Sequence, residues 1–542
     1  MKQLLFLILL MSGGLGVHAQ SLQEAKDRIY YQRYSSAAGI LRNIIKSDPR
    51  NTEAWYLLTR CYLKDDKIPS FWDSVPAVPA DLENSPFIAC AKGDVLLRHG
   101  KKDSAAVFFK MALADSREKD PAILSAVAIA HIRADSGNAA YALDLLSKAI
   151  KLDKKNPAFY VEQGNAYRKM YNGTEAYKAY SKANELNPGY AEAAYRLGEL
   201  FVAQNNPDLY LKYFRQATAA DSAYAPAWYA LYYYYYFRDA DRALNYLNRY
   251  ISVSDPDPAN IYKKADLLYL SKKYPDAIRE ADLLLSVQNL AVDPRLYKLL
   301  AYSYDELNDS VKALNLMQTY FKKQPDSLLI PKDFESMANM YSRFQGKEDS
   351  AAIYLSKAIT MEKDSTVKLN YYKKIADLYK KINDYKSQSE WLGRYYQSNA
   401  RAGNVDLFNW GISAYLAKNY LLADSVFALY SEKYPTQTFG YYWKARSDIA
   451  IDTAMEKGLA VPAYKEVIKL SMNDSTGHPN KKWLIEAYGY MAAYEANTEK
   501  NYSEAMEYLE NLLAEDPGNL SAKKYIEILK KNNARSAISK NK

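Results

Sequence analysis

The side chains able to do chemistry are few and scattered. Histidines number four. His18 falls in the leading segment, and His99, His131 and His478 lie far apart in sequence. The chain contains no H-E-x-x-H, no P-loop, no G-x-G-x-x-G and no G-x-S-x-G, so the common zinc, phosphate and nucleophile-elbow signatures are absent. Three Asp-Ser pairs resemble base–nucleophile dyads: Asp309-Ser310, Asp349-Ser350 and Asp424-Ser425. They fall at the starts or exposed turns of helices, where capping and the helix dipole explain the first two equally well. His131, within AIAHIRAD, reads as a packed or rim histidine, and most carboxylates sit singly on solvated helical faces. This pattern predicts a non-catalytic protein with no cofactor and no metal.

Tyrosine is the residue that stands out, with 52 copies in 542 positions, against only 20 each of Gly and Pro. Many of these tyrosines follow a helical spacing. In Pro157 to Pro188, Tyr160, Gly164 and Tyr167 stand at i, i+4 and i+7 and share one helix face. Asn172-Gly173 then reads as a turn, since both residues tolerate left-handed backbone. Ala176, Tyr180 and Ala183 repeat the spacing on a second helix, closed by Pro188. Small residues at Gly164, Ala176 and Ala183 let the two helices approach, with aromatics filling the space beside them.

This spacing resembles the tetratricopeptide repeat, and it recurs at the family's period of thirty-four residues. One period back lie Ala142, Leu146 and Ala149. One period forward, Leu197, Gly198 and Phe201 precede Phe214 and Ala217, and the next unit offers Trp228, Leu231, Tyr235, Ala243 and Leu247. Further units follow to Pro517, about thirteen in all. The resemblance implies an all-α fold, an α-solenoid (superhelix) of helix-turn-helix repeats. Degenerate repeats are expected over 20–119, with a Pro-rich break near 69–86. A regular array follows over 120–436, then irregular repeats and a capping helix over 437–531, and a disordered tail over 532–542. The insertion IDTAMEKGLAVP is expected to be a structured loop, Gly458 suiting a turn and Pro462 a helix start.

Residues 1–19 read as a signal peptide, with Lys2, the apolar run LLFLILLM and a Val17-His18-Ala19 cleavage site. Nothing later approaches about 18 consecutive apolar residues, so no transmembrane span is expected. The net charge of +9 is mild for this length and does not by itself imply nucleic acid. The expected location is the periplasm or cell envelope. There Cys61 and Cys90 could pair as a disulfide; the alternative is that both are small buried residues on neighbouring first helices.

The tetratricopeptide resemblance further implies that first-helix side chains not needed for packing line a concave, peptide-binding wall. Carrying the register forward from Tyr160 gives Val161, Asn165 and Arg168 in that unit. In the following units it assigns the binding wall to Tyr195, Tyr229, Tyr233, Tyr236, Tyr262, Tyr269 and Tyr302. The carboxylate-clamp pattern of the family is not matched. Only Asn165 fits it. A tyrosine-lined groove suits an extended peptide or amphipathic helix, while glycan stacking and simple inter-helix packing are the alternatives. The expected function is an exported scaffold that binds protein or peptide partners in envelope assembly or secretion, with a glycan-binding module as the second reading.

Overall fold

The computed structural model describes residues 21–64, 78–287, 292–473 and 481–540, with side chains as far as Lys531. Every regular element among them is helical, and successive helices pack as antiparallel pairs joined by short turns. The fold is an α-solenoid, as the period implied. The chain forms two compact units that meet at Ser303 and Tyr304, within the stretch 120–436. Residues 1–19 and the prolines Pro69 and Pro76 lie outside the described residues.

In four of the pairs a ring is seated on a glycine. At Gly164, in the Pro157–Lys169 helix, an added Cβ would lie 2.3 Å from the Tyr180 ring of the Gly173–Leu186 helix. The same fit recurs at Gly93 with Phe109 (2.4 Å), Gly198 with Phe214 (2.5 Å) and Gly411 with Phe427 (2.6 Å). Only glycine leaves room for this approach. The flanking Ala176 and Ala183 are fully buried, as is Tyr180, whose hydroxyl donates to Asn165 Oδ1 at 2.8 Å.

The turns differ in detail from the sequence expectation. The left-handed residue is Tyr171 (φ 58°), not Asn172 or Gly173. Asn172 is instead the N-cap, accepting the Glu175 amide at 3.2 Å, and Gly173 opens the helix. The device repeats at Asn205-Asn206, Asn308-Asp309, Asn383-Asp384 and Lys418-Asn419, a left-handed residue followed by an Asx cap each time. Satisfying an orphan helix amide outweighs the modest cost of one non-glycine left-handed residue. Asp309 is therefore a cap. Asp349 accepts from the Tyr379 hydroxyl at 2.8 Å, and Asp424 pairs with Lys444.

In the second unit the insertion is ordered around one side chain. Asp452 is buried and accepts the amides of Glu456 (3.1 Å), Lys457 (3.0 Å) and Leu459 (3.4 Å). Gly458 is left-handed (φ 59°) beneath the Tyr494 ring, and Pro462 sits in the first turn of the Val461–Met472 helix. Asp452→Ala should cost about 1–3 kcal/mol, because it leaves three part-buried backbone amides without their acceptor. Denaturant unfolding measures this, and rapid proteolysis between Asp452 and Val461 in the folded wild type would contradict the ordered loop. The two helices of the last pair, Lys481–Tyr494 and Tyr502–Glu515, are joined through a π-helical turn, Glu495–Glu499. The final helix, Leu520–Lys540, buries Leu529 and exposes Lys523, Lys524, Lys530 and Lys531. Its backbone continues through the stretch read from sequence as a tail.

Candidate functional site

The first unit departs from nearest-neighbour stacking at its N-terminal end. The Tyr34–Ser47 helix follows Arg33, whose side chain makes no cap. Its cap comes from Asp255, 220 residues away in sequence, which accepts the Ser35 amide at 2.8 Å and the Ser36 amide at 3.3 Å and also binds the Ser36 hydroxyl. A carboxylate at a helix N-terminus is favoured both by hydrogen bonding and by the helix dipole. Arg33 Nε donates to the Val253 carbonyl. Tyr30 packs its ring 5.1 Å from Tyr190 and 5.2 Å from Tyr224. The N-terminal helix pair thus lies against repeats five and six units further along.

This contact encloses a cleft of about 470 Å³. Tyr31 and Tyr34 line one side; Tyr195, Tyr229 and Tyr250 line the other, with Asp255 and Asp257 at the floor between helices. Tyr229 stands 5.2 Å from Tyr250 and 5.4 Å from Tyr232, with the Lys263 ammonium 5.6 Å from its ring centre. The cleft therefore offers flat aromatic faces with hydroxyl rims, and carboxylates within reach of backbone amides.

The seven tyrosines assigned from the repeat register divide into two groups. Tyr229 and Tyr233 are exposed, at 38% and 71%. The other five are half-buried and engaged. Tyr195 packs against Phe214 and Tyr224, both at 5.6 Å. Tyr236 donates to Asp266, whose carboxyl is held above its ordinary range by burial despite that hydrogen bond. Burial pushes the Tyr262 hydroxyl up to about 12, and the Arg295 guanidinium lies 5.7 Å from its ring centre. Tyr269 and Tyr302 face each other at 6.2 Å. Neighbouring register positions carry ion pairs rather than free charge: Arg168 to Glu199 at 3.0 Å and Arg196 to Glu199 at 2.7 Å. Sequence reasoning missed Tyr31, Tyr34 and Tyr250, because a contact spanning 220 residues leaves no mark on a local repeat.

Other chemistry-bearing residues have structural settings. His131 lies between Phe109 and Tyr141, each at 5.2 Å, and its Nδ1 accepts the Asn138 amide; burial and Lys169 both lower its pKa. Cys61 and Cys90 are both buried and are not joined by a disulfide. Among the described residues no cluster of His, Cys, Asp or Glu could hold a metal ion, and no helix is long and apolar enough to cross a membrane.

The helix pairs, their ring-on-glycine seats and their thirty-four-residue period define an α-solenoid of repeats. Those features are those of a tetratricopeptide-like repeat. No family model matches it. Over 120 residues it is 30% identical to Protein bimA of Emericella nidulans, a match covering 22% of this chain and 14% of that protein. Similar solved structures include the C-terminal part of a TPR repeat-containing protein from Cytophaga hutchinsonii, 26% identical over 48% of this chain and 98% of that one (TM-score 0.30). A tetratricopeptide repeat protein from Parabacteroides merdae is 16% identical over 48% and 98% (TM-score 0.29). Pseudomonas aeruginosa pilF is 17% identical over 48% and 97% (TM-score 0.25). The assignment rests on the chain's own repeat and its packing.

Proposed function

We propose that this protein is an exported, non-catalytic scaffold of the cell envelope that binds protein or peptide partners in the tyrosine-lined cleft of its first unit. One observation carries the reading: two register tyrosines, Tyr195 and Tyr229, meet Tyr31 and Tyr34 of the N-terminal pair around a single cleft. Tyrosine faces supply contact area at little entropy cost, and their hydroxyls can satisfy an extended backbone. The leading segment 1–19, with its apolar run and small-residue cleavage site, supports export. The same rings could stack on sugars, so the test must separate the two ligand classes. The full mature chain is screened against a random-peptide library and a glycan array in parallel. Enrichment of peptides, competed by one another and lost on Tyr229→Ala, is expected; glycan binding without peptide enrichment would replace the peptide reading.

A further inference from the structure

A second cavity of the first unit, about 430 Å³, lies where the N-terminal helix closes over the inner faces of other first helices. Side chains from Leu22–Tyr30, Thr52–Lys64, Pro121–Arg133, Pro157–Lys169 and Ala191–Ala203 reach it. Its charges are unbalanced. Lys26, Arg60, Lys64, Arg133 and Arg196 face only two carboxylates, Glu162 and Glu192.

Partners elsewhere account for part of this excess. Lys26 is paired with Glu53 at 2.7 Å, and Arg196 is held by Glu192 at 2.9 Å and Glu199 at 2.7 Å. Glu162 is shared: Asn165 Nδ2 donates to it at 3.0 Å, while Arg133 reaches it only at 3.8 Å. Arg60 forms no ion pair among the described residues, and its Nε is buried without a hydrogen-bond partner. Its compensation is longer-range: the Tyr56 ring lies 5.9 Å from the guanidinium carbon, and although burial works to lower the Arg60 pKa, Tyr56 and the Glu162 and Asp94 carboxylates raise it on balance. Burial, reinforced by the neighbouring Arg60 guanidinium, depresses the Arg133 pKa.

Clustering like charges in a recess opposes folding unless something offsets it, and an unpartnered buried guanidinium donor carries a desolvation cost. Such an arrangement is typical of sites whose missing partner is a ligand. The guanidinium fork matches carboxylate and phosphate geometry. The rest of the lining includes Leu57, Ile129 and Ile132, so the cavity offers apolar surface as well as charge. Its volume falls in the usual range of small-molecule sites. We propose that this cavity binds a small organic anion, a carboxylate or phosphate joined to an apolar body, with Arg60 and Arg133 receiving its charge.

The test uses the full chain, with benzoate and phenylphosphonate as the two anionic probes and benzyl alcohol as the neutral control, in calorimetric titration at low salt. Saturable one-to-one binding of at least one anion is expected, with none of benzyl alcohol, and the tighter anion identifies the headgroup. Arg60→Met should weaken that binding at least about tenfold, while Tyr229→Ala leaves it unchanged. Thermal melting without ligand shows whether Arg60→Met folds. Should that variant fail to fold, the arginine is structural, and Arg133→Met then decides: retained anion binding overturns the proposal, and a tenfold loss with normal melting upholds it. The proposal also fails if neither anion binds, or if a folded Arg60→Met binds as tightly as wild type.

Discussion

Gly164→Leu is expected to destabilise the first compact unit by about 1–3 kcal/mol, because even a single added carbon there has no space. A Cβ at this position would lie 2.3 Å from Tyr180 Cε1 and 2.5 Å from Cδ1. Tyr180 cannot easily swing away: it is fully buried, and its hydroxyl is bonded to Asn165. The helices must therefore separate, loosening the seat that defines the repeat. Gly39 is the matched control. It also lies inside a helix, Tyr34–Ser47, but a Cβ there would meet nothing within 4 Å. Gly39→Ala should be neutral or stabilising by roughly 0.5–1 kcal/mol, since it removes backbone entropy without a clash. Urea unfolding of both variants measures the contrast. Equal effects at the two glycines would contradict the ring-on-glycine account of the pairing.

The double substitution Tyr229→Ala with Tyr233→Ala should weaken partner binding by roughly 2 kcal/mol or more, about thirtyfold in affinity. These two are the exposed members of the seven register tyrosines, so their rings are available to a ligand. Tyr229 also borders Tyr250, a second ring lining the cleft. Helical content should be nearly unchanged, because neither ring is part of the buried core. The matching substitution at Tyr195 should behave differently. That ring packs on Phe214 and Tyr224, so its loss costs stability as well as any binding. Titration of a peptide enriched from the library, alongside thermal melting, separates the two effects. A double variant that loses stability without a specific binding defect would assign these tyrosines to packing.

The pairing of helices was legible in the sequence because its cause is local. Gly164 and Tyr180 belong to one repeat, and the same two residue classes recur at a fixed spacing. The ordered insertion was legible through Gly458 and Pro462, while Asp452, whose amide partners lie within seven residues, went unmarked. The turn residue was misplaced for a physical reason. Asn172 has two local uses, left-handed backbone or side-chain cap, and the orphan amide of Glu175 decides for the cap. The site was only half legible. Of the register tyrosines, Tyr229 and Tyr233 are exposed, whereas Tyr195, Tyr236 and Tyr262, given the same standing, are half-buried and engaged with neighbours. The closing face was invisible. Repeat logic has each unit touch only its neighbours, whereas Asp255 caps a helix from the first repeat, and Tyr31 and Tyr34 complete a cleft begun by Tyr195 and Tyr229. The cationic cavity was hidden likewise, since Arg60 and Arg133 read along the chain as ordinary solvated charges.

The most direct test of the partner-binding claim is site-specific photo-crosslinking in producing cells, with p-benzoylphenylalanine replacing Tyr233 or, as a control, Tyr171. Both positions are strongly exposed, at 71% and 97%; Tyr233 lies one helical turn beyond the cleft residue Tyr229 on the Ala225–Tyr235 helix, whereas Tyr171 sits on an inter-helix turn of another repeat. The account predicts a discrete protein adduct from position 233, absent from position 171 and lost when Tyr229→Ala is added. An adduct that forms equally from position 171, or that survives Tyr229→Ala, would contradict it.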